Sequence, residues 1–222
     1  GFFDNIDHDV LLTLLRKRID DEKFVGLIGD MLKAGVMEGR VNTPTYSGTP
    51  QGGIVSPILA NIYLHELDEF VAGRIAAFEK GKTRAMNPEY RRLAARIAKQ
   101  RKRLKSLQAC DNADEVTIKA ILAKIDIMSK QMRALPSRDG MDAGYRRLRY
   151  CRYADDFLIG VIGSKEDARQ VFAEVGAFLT NALALSVSEE KSGIRKASDG
   201  AAFLGYEGRT YTGRQWTVRS QL

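Results

Sequence analysis

The chain is 222 residues long, 44% of them hydrophobic, with two cysteines and a net charge of +7. That composition suits a folded domain with its own core and excludes a disordered polymer, and no apolar run reaches the roughly 20 residues of a membrane-spanning helix. Cys110 and Cys151 are too few and too far apart for a disulfide scaffold or zinc cluster, so a reducing, cytosolic setting is expected, and the charge permits a polyanionic partner without requiring one.

The chain opens at Gly1-Phe2-Phe3, inside an apolar run and without a methionine, and reads as a piece of something longer. From Asp7 the pattern is helical. Asp7 can cap, Asp9 suits the positive end of the helix dipole, and Val10, Leu11, Leu14, Leu15 and Ile19 form an apolar stripe. A second helix is predicted from Asp21 to near Gly35, with Phe24, Val25, Leu27, Ile28, Met31 and Leu32 inward. Residues 36 to 47 read as short extended pieces, and 48 to 53 (Gly-Thr-Pro-Gln-Gly-Gly) as a loop. Ser56-Pro57 reads as a cap and a proline at the first helical position, opening a helix that runs to about Phe70.

Residues 71 to 106 hold twelve Lys/Arg and only two acids, Glu79 and Glu89, a local charge of +10, while the remainder carries −3. Concentrated charge of this kind is the footprint expected for a phosphate backbone, although a solvated helix face gives the same run. Two helices are predicted here. One spans about 89 to 106, with Leu93, Ile97 and Leu104 on one side; the other spans about 114 to 135, with Ile118, Ile121, Ile125, Met128 and Met132 in step. Together they form a helical hairpin. Beyond it the period changes: strands at 148 to 154 and 157 to 162, a helix at 165 to 184, and short strands at 185 to 187, 201 to 206 and 211 to 218. Helices mixed with local strand pairs indicate an α+β fold.

The strongest chemical signal is Asp155-Asp156, flanked by two apolar strands with no Gly or Asn to favour a plain turn. Adjacent carboxylates repel, and enclosing them is costly unless a cation neutralises them. Mg²⁺ fits, because it takes a few carboxylate oxygens and completes its shell with water and substrate phosphates. A strand–Asp-Asp–strand hairpin is thus a platform for two-metal phosphoryl chemistry. Cys151 beside it is most simply a small buried residue, and His8 and His65 are assigned no chemistry.

Tyr153-Ala154-Asp155-Asp156, preceded by residues 48 to 57 (Gly-Thr-Pro-Gln-Gly-Gly-Ile-Val-Ser-Pro), resembles the reverse transcriptases encoded by group II introns. The opening Gly1-Phe2-Phe3-Asp4-Asn5-Ile6-Asp7-His8 resembles that family's first palm motif, and Ser188-Glu189-Glu190-Lys191 and Phe203-Leu204-Gly205-Tyr206 resemble later ones. The resemblance implies a reverse-transcriptase palm, a mixed, mainly antiparallel sheet packed on helices, from residues 1–71 and 148–222. A basic helical-hairpin insertion would occupy 72–147. In the family the first motif begins with a metal-binding Asp three residues before the position of Gly1, so this segment alone is expected to be inactive.

By the same resemblance Asp155 and Asp156 would hold two Mg²⁺ ions, with Mn²⁺ as a substitute, and Lys191 would sit near the leaving pyrophosphate as a catalytic cation. Phe3, Gln51, Gly52 and Tyr153 would line the nucleotide pocket, with Phe3 excluding a 2′-hydroxyl. Phe203, Leu204 and Gly205 would grip the primer end. The implied partners are an RNA template, intron RNA, a DNA primer and deoxynucleoside triphosphates, with no membrane, in a bacterial, nucleoid-associated cytoplasm rather than an organelle. Arg91, Arg92, Arg96, Lys99, Arg101, Lys102, Arg103 and Lys105 are the candidate RNA contacts. Three alternatives stand beside this reading: a non-catalytic RNA-binding splicing cofactor (a maturase), a polymerase of retron, diversity-generating or CRISPR-associated type, and use of the 89 to 135 pair for homodimerisation.

Overall fold

A computed structural model describes residues 5–34, 36–38, 41–43, 55–109, 114–210 and 216–220. The chain divides into two compact units, Gly1–Glu79 with Arg147–Leu222, and Lys80–Arg146. The described elements are helices and small antiparallel sheets, as an α+β fold requires.

In the first unit, helix α1 (His8–Arg16) begins where the Asp7 carboxylate accepts from the Val10 amide at 2.9 Å. Helix α2 (Glu22–Lys33) begins where Asp21 accepts from the amides of Lys23 and Phe24, at 2.9 and 3.1 Å. Each cap satisfies donors that the first turn leaves without a helical partner. The two helices bury Leu11, Leu14 and Leu15, and Val25, Ile28 and Leu32. Phe24 and Leu27 stay exposed, because α2 buries one narrow stripe at three- and four-residue spacing and these two fall outside it. A short hairpin follows, β1 (Val36–Glu38) with β2 (Val41–Thr43).

Helix α3 (Ser56–Phe78) runs well past the expected end near Phe70, since no proline or capping turn interrupts residues 71 to 78. Its cap residue is Val55, and Ser56 is buried in the first turn. Strands β3 (Arg147–Tyr153) and β4 (Asp156–Ile162) pair antiparallel. Helix α6 (Lys165–Leu183) follows; α4 (Pro88–Gln108) and α5 (Glu115–Ala134) precede it in the chain and belong to the second unit. Helix α6 opens with a reciprocal Ser164–Asp167 capping box and closes at Ala184 in the left-handed region, φ 48°.

Helix α3 packs against α1, β3 and α6 and buries Leu59, Ala60, Tyr63, Leu64, Leu67 and Val71. Tyr63 is fully buried, and its hydroxyl donates to the Leu183 carbonyl at 2.6 Å, satisfying one of the acceptors orphaned at the end of α6. Burial pushes the Tyr63 phenol up to about 12. Phe70 stacks on Phe178 with ring centres 4.2 Å apart.

Strands β5 (Ala201–Phe203), β6 (Tyr206–Thr210) and β7 (Trp216–Ser220) form an antiparallel sheet in that order. The described strands therefore make three small antiparallel sheets instead of one mixed sheet, each built from neighbours in sequence. The strand expected at 185 to 187 does not form. The chain leaves α6 through Ala184, the Leu185 amide donates back to the Leu179 carbonyl, and Leu185 itself is buried in the core. The run 201 to 206 is likewise two strands, divided at Leu204-Gly205.

The second unit is a helical hairpin on a compact base. Helix α4 (Pro88–Gln108) is capped by Asn87, and α5 (Glu115–Ala134) by Asp114. The helices pack on each other, with Ile97 and Ile121 buried. At the base, the Lys80 and Arg146 backbones exchange N–H···O bonds at 3.1 Å, and the Met86 backbone pairs antiparallel with that of Arg138. The Asp142 carboxylate accepts from the Ala85 and Gly144 amides, which hold it below the ordinary aspartate value. Gly81 lies at φ 71°, and a Cβ there would stand 2.4 Å from the Gly144 carbonyl oxygen, so the crossing admits only glycine.

Candidate active site

The Asp-Asp element closes the β3–β4 hairpin. Tyr153 pairs with Asp156, which leaves Ala154 and Asp155 as the whole connecting loop. Two-residue loops match strand twist when they include a positive φ, normally supplied by Gly or Asn. Here Ala154 adopts it, φ 51°, at a cost of about 1 kcal/mol for a residue with a Cβ.

Period-two alternation gives the hairpin two faces. Leu148 is buried and Tyr150, Arg152, Phe157, Ile159 and Val161 are half-buried on one. Cys151, Tyr153, Asp156 and Leu158 are exposed on the other, and Asp155 is exposed at the tip. The expectation of a buried Cys151 is therefore corrected: it is an exposed free thiol, because its neighbour Arg152 takes the inward face.

Arg152 faces inward because of Asp68 on α3. Its Nε and one terminal nitrogen donate to the two Asp68 oxygens at 2.8 and 2.6 Å. The other terminal nitrogen donates to the Ala154 carbonyl at 2.9 Å and to the Asn61 side-chain oxygen at 3.1 Å. The Tyr150 hydroxyl adds a bond to Asp68 at 2.9 Å. Burial pushes the Asp68 carboxyl up, but hydrogen bonds from Arg152 and Tyr150, with the Arg152 charge, outweigh it and hold the carboxyl below its ordinary value. Burial first, and then the bond to Asp68, push the Tyr150 phenol well up. This cluster is absent from the sequence reading, because its members lie 82 and 84 residues apart. The one available signal was an arginine sharing strand parity with Tyr150.

Asp155 and Asp156 contrast with that neutralised pair. Neither carboxylate has an ion-pair partner among the described residues. Among those residues no group of three His, Cys, Asp or Glu is arranged for a metal ion, so the two stand as a pair of donors. Exposed, adjacent, uncompensated carboxylates suit a hard divalent cation that retains water and phosphate ligands.

The remaining candidate residues fall into three groups. Phe3, Gln51 and Gly52 lie outside the described residues. Lys191 is exposed in a turn closed by the Ser192 amide on the Ser188 carbonyl, and no polar contact joins it to Asp155 or Asp156 among the described residues. Phe203 is half-buried at the end of β5, and Leu204 and Gly205 form an exposed turn with φ 52° and 77°. Strand β5 contacts β4, so this hairpin adjoins the one that carries the aspartates. On α4, Arg91, Arg92, Arg96, Lys99, Arg101, Lys102, Arg103 and Lys105 are all exposed, and none of these side chains has an acidic partner among the described residues. Neighbouring α5 differs: Lys119 pairs with Glu115 and Lys130 with Asp126.

The sequence profile of the reverse transcriptase (RNA-dependent DNA polymerase) family matches residues 1–208. The chain belongs to the reverse transcriptase family. Within that family it is similar to intron proteins, one of them named as encoded by a group II intron. The group II intron-encoded protein LtrA of Lactococcus lactis subsp. cremoris is 43% identical over 207 residues, 93% of this chain and 33% of that protein. The COX1/OXI3 intron 2 protein of Saccharomyces cerevisiae is 31% identical over 215 residues, 92% of this chain and 22% of its own length. Nuclear intron maturase 4 of Arabidopsis thaliana is 24% identical over 181 residues, 81% of this chain and 19% of its own length. This reverse transcriptase chain thus spans a third or less of each of these relatives. No helix among its described residues is long and apolar enough to cross a membrane.

Proposed function

We propose that this chain is the palm portion of an RNA-directed DNA polymerase encoded by a group II intron. The primer 3′-hydroxyl gives its proton to solvent water and attacks the α-phosphate of a deoxynucleoside triphosphate; a phosphodiester forms, the bond to the β-phosphate breaks and pyrophosphate leaves. The observation that carries the reading is the two-residue hairpin presenting Asp155 and Asp156 side by side, exposed and uncompensated, in a chain that matches the reverse transcriptase family over residues 1–208. Asp155 and Asp156 would hold Mg²⁺, or Mn²⁺ in its place, which would supply Lewis-acid stabilisation of the charge that develops on the reacting oxygens. Lys191 supplies a cation toward the departing pyrophosphate, and Tyr153, on the open face with Asp156, contacts the nucleotide. The Phe203-Leu204-Gly205 turn holds the primer end. Asp155→Asn in the intact protein tests the reading: templated extension is expected to fall at least a hundredfold, and near wild-type extension would overturn it.

A second reading rests on α4. Eight exposed Lys/Arg without acidic partners form a charged surface suited to intron RNA, as a maturase requires, in a unit inserted between the two parts of the palm. It is compatible with the first, because the charge and the aspartates belong to different segments.

A further inference from the structure

The carboxylates of the hairpin tip need a fixed direction, and the tip has little to fix it. Its loop is two residues long, Asp155 and Asp156 are exposed, and neither has an ion-pair partner among the described residues. One side chain reaches back to the loop backbone: Arg152 holds the Ala154 carbonyl at 2.9 Å. That oxygen belongs to the peptide group joining Ala154 to Asp155, so holding it fixes the plane from which Asp155 departs. The same guanidinium is anchored at its other edge by both oxygens of Asp68, and the nitrogen that holds the Ala154 carbonyl also donates to the Asn61 side-chain oxygen; both residues lie on helix α3. Tyr150, two residues earlier on the same face, bonds to Asp68 as well. A chain of direct contacts therefore runs from the buried helix, through Asp68 and Arg152, to the peptide carrying Asp155.

We propose that Arg152 and Asp68 are positioning residues that set the direction of the Asp155 carboxylate for the divalent cation. This rests on the reading of Asp155 and Asp156 as metal-holding groups. A planar guanidinium can serve Asp68 and the Ala154 carbonyl together, because its donors diverge in one rigid plane; the compact ammonium of a lysine cannot span both. Arg152 also holds in place the left-handed Ala154, a conformation a residue with a Cβ rarely adopts without support. Residues that orient metal-holding groups typically change metal affinity or activity ten- to a hundredfold when altered, without touching the metal themselves.

The test compares Arg152→Lys, Asp68→Asn and Asp155→Asn with the wild-type intact protein in three measurements: thermal melting, Mn²⁺ binding by electron paramagnetic resonance, and single-turnover nucleotide incorporation. Arg152→Lys is expected to bind Mn²⁺ about tenfold more weakly and to lower kcat by a similar factor, with the nucleotide KM nearly unchanged. Asp68→Asn keeps the volume and one acceptor, and is expected to shift both values the same way by a smaller factor; it decides the matter should Arg152→Lys not fold. Folded variants with wild-type Mn²⁺ affinity and kcat, beside an inactive Asp155→Asn, would overturn the positioning role alone. An active Asp155→Asn would overturn the reading on which it rests.

Discussion

Asp68 on α3 and Arg152 on β3 form a two-pronged ion pair at 2.8 and 2.6 Å, with the Arg152 side chain only 11% exposed. Because the Asp68 carboxyl is held below its ordinary value, the stability it contributes is fully present above that value and is lost as pH falls through its lowered one. Asp68→Asn is accordingly expected to be less stable than wild type near pH 6, with the two unfolding curves converging below about pH 4. A constant gap across that range, measured by urea denaturation, would show that Asp68 does not titrate with the fold.

Tyr63 has the opposite sign. Its phenol is raised to about 12, so its contribution is present below about pH 10, where an unfolded tyrosine ionises, and is lost as pH climbs toward 12. Tyr63→Phe removes the bond to the Leu183 carbonyl and is expected to cost about 1 kcal/mol near neutrality, or a melting point lower by about 2–4 °C. The variant should also lose less stability than wild type between pH 10 and 12. An unchanged melting point would mean that water satisfies Leu183 equally well.

Leu67 is fully enclosed on the inner face of α3, the helix that anchors the hairpin through Asp68 one residue later. Leu67→Ala is expected to cost about 2–5 kcal/mol, readable in a chemical denaturation midpoint. A loss below about 1 kcal/mol would place that part of α3 outside the core.

On α4, neutralising Arg91, Arg92, Arg101, Lys102 and Arg103 to glutamine should weaken RNA binding. It should also flatten the dependence of log affinity on log salt, by about 0.7–0.9 for each phosphate contact removed. Filter binding at several salt concentrations measures both. Unchanged affinity and slope would assign these side chains to solvent.

Much of the fold follows from local chemistry, and the exceptions have physical causes. Asp7 and Asp21 cap where the sequence places them, because a capping carboxylate acts within three residues. Strands β3 and β4 lie within a residue of their expected bounds, because adjacent strands need only a hairpin to meet. Long-range relations were not legible. Residue type alone favours Cys151 inward and Arg152 outward, whereas strand parity with Leu148 and Tyr150 places them the other way; Asp68, which makes an inward arginine favourable, lies far away in sequence. The Leu204-Gly205 turn carried its own signal, a glycine between two aromatic residues, within a run otherwise like one strand. At the candidate site, the hairpin that carries Asp155 and Asp156 was legible because its two strands are adjacent in sequence, although the pair is exposed at the tip and not enclosed; the cluster behind it was not.

The most direct measurement is single-nucleotide incorporation on an RNA template by the intact protein, with wild type and Asp155→Asn matched for melting temperature. The expected result is divalent-cation-dependent incorporation of the templated deoxynucleotide by wild type and a rate at least about a hundredfold lower for Asp155→Asn. Rates within twofold of each other, at equal stability, would contradict the assignment of the hairpin as the catalytic centre.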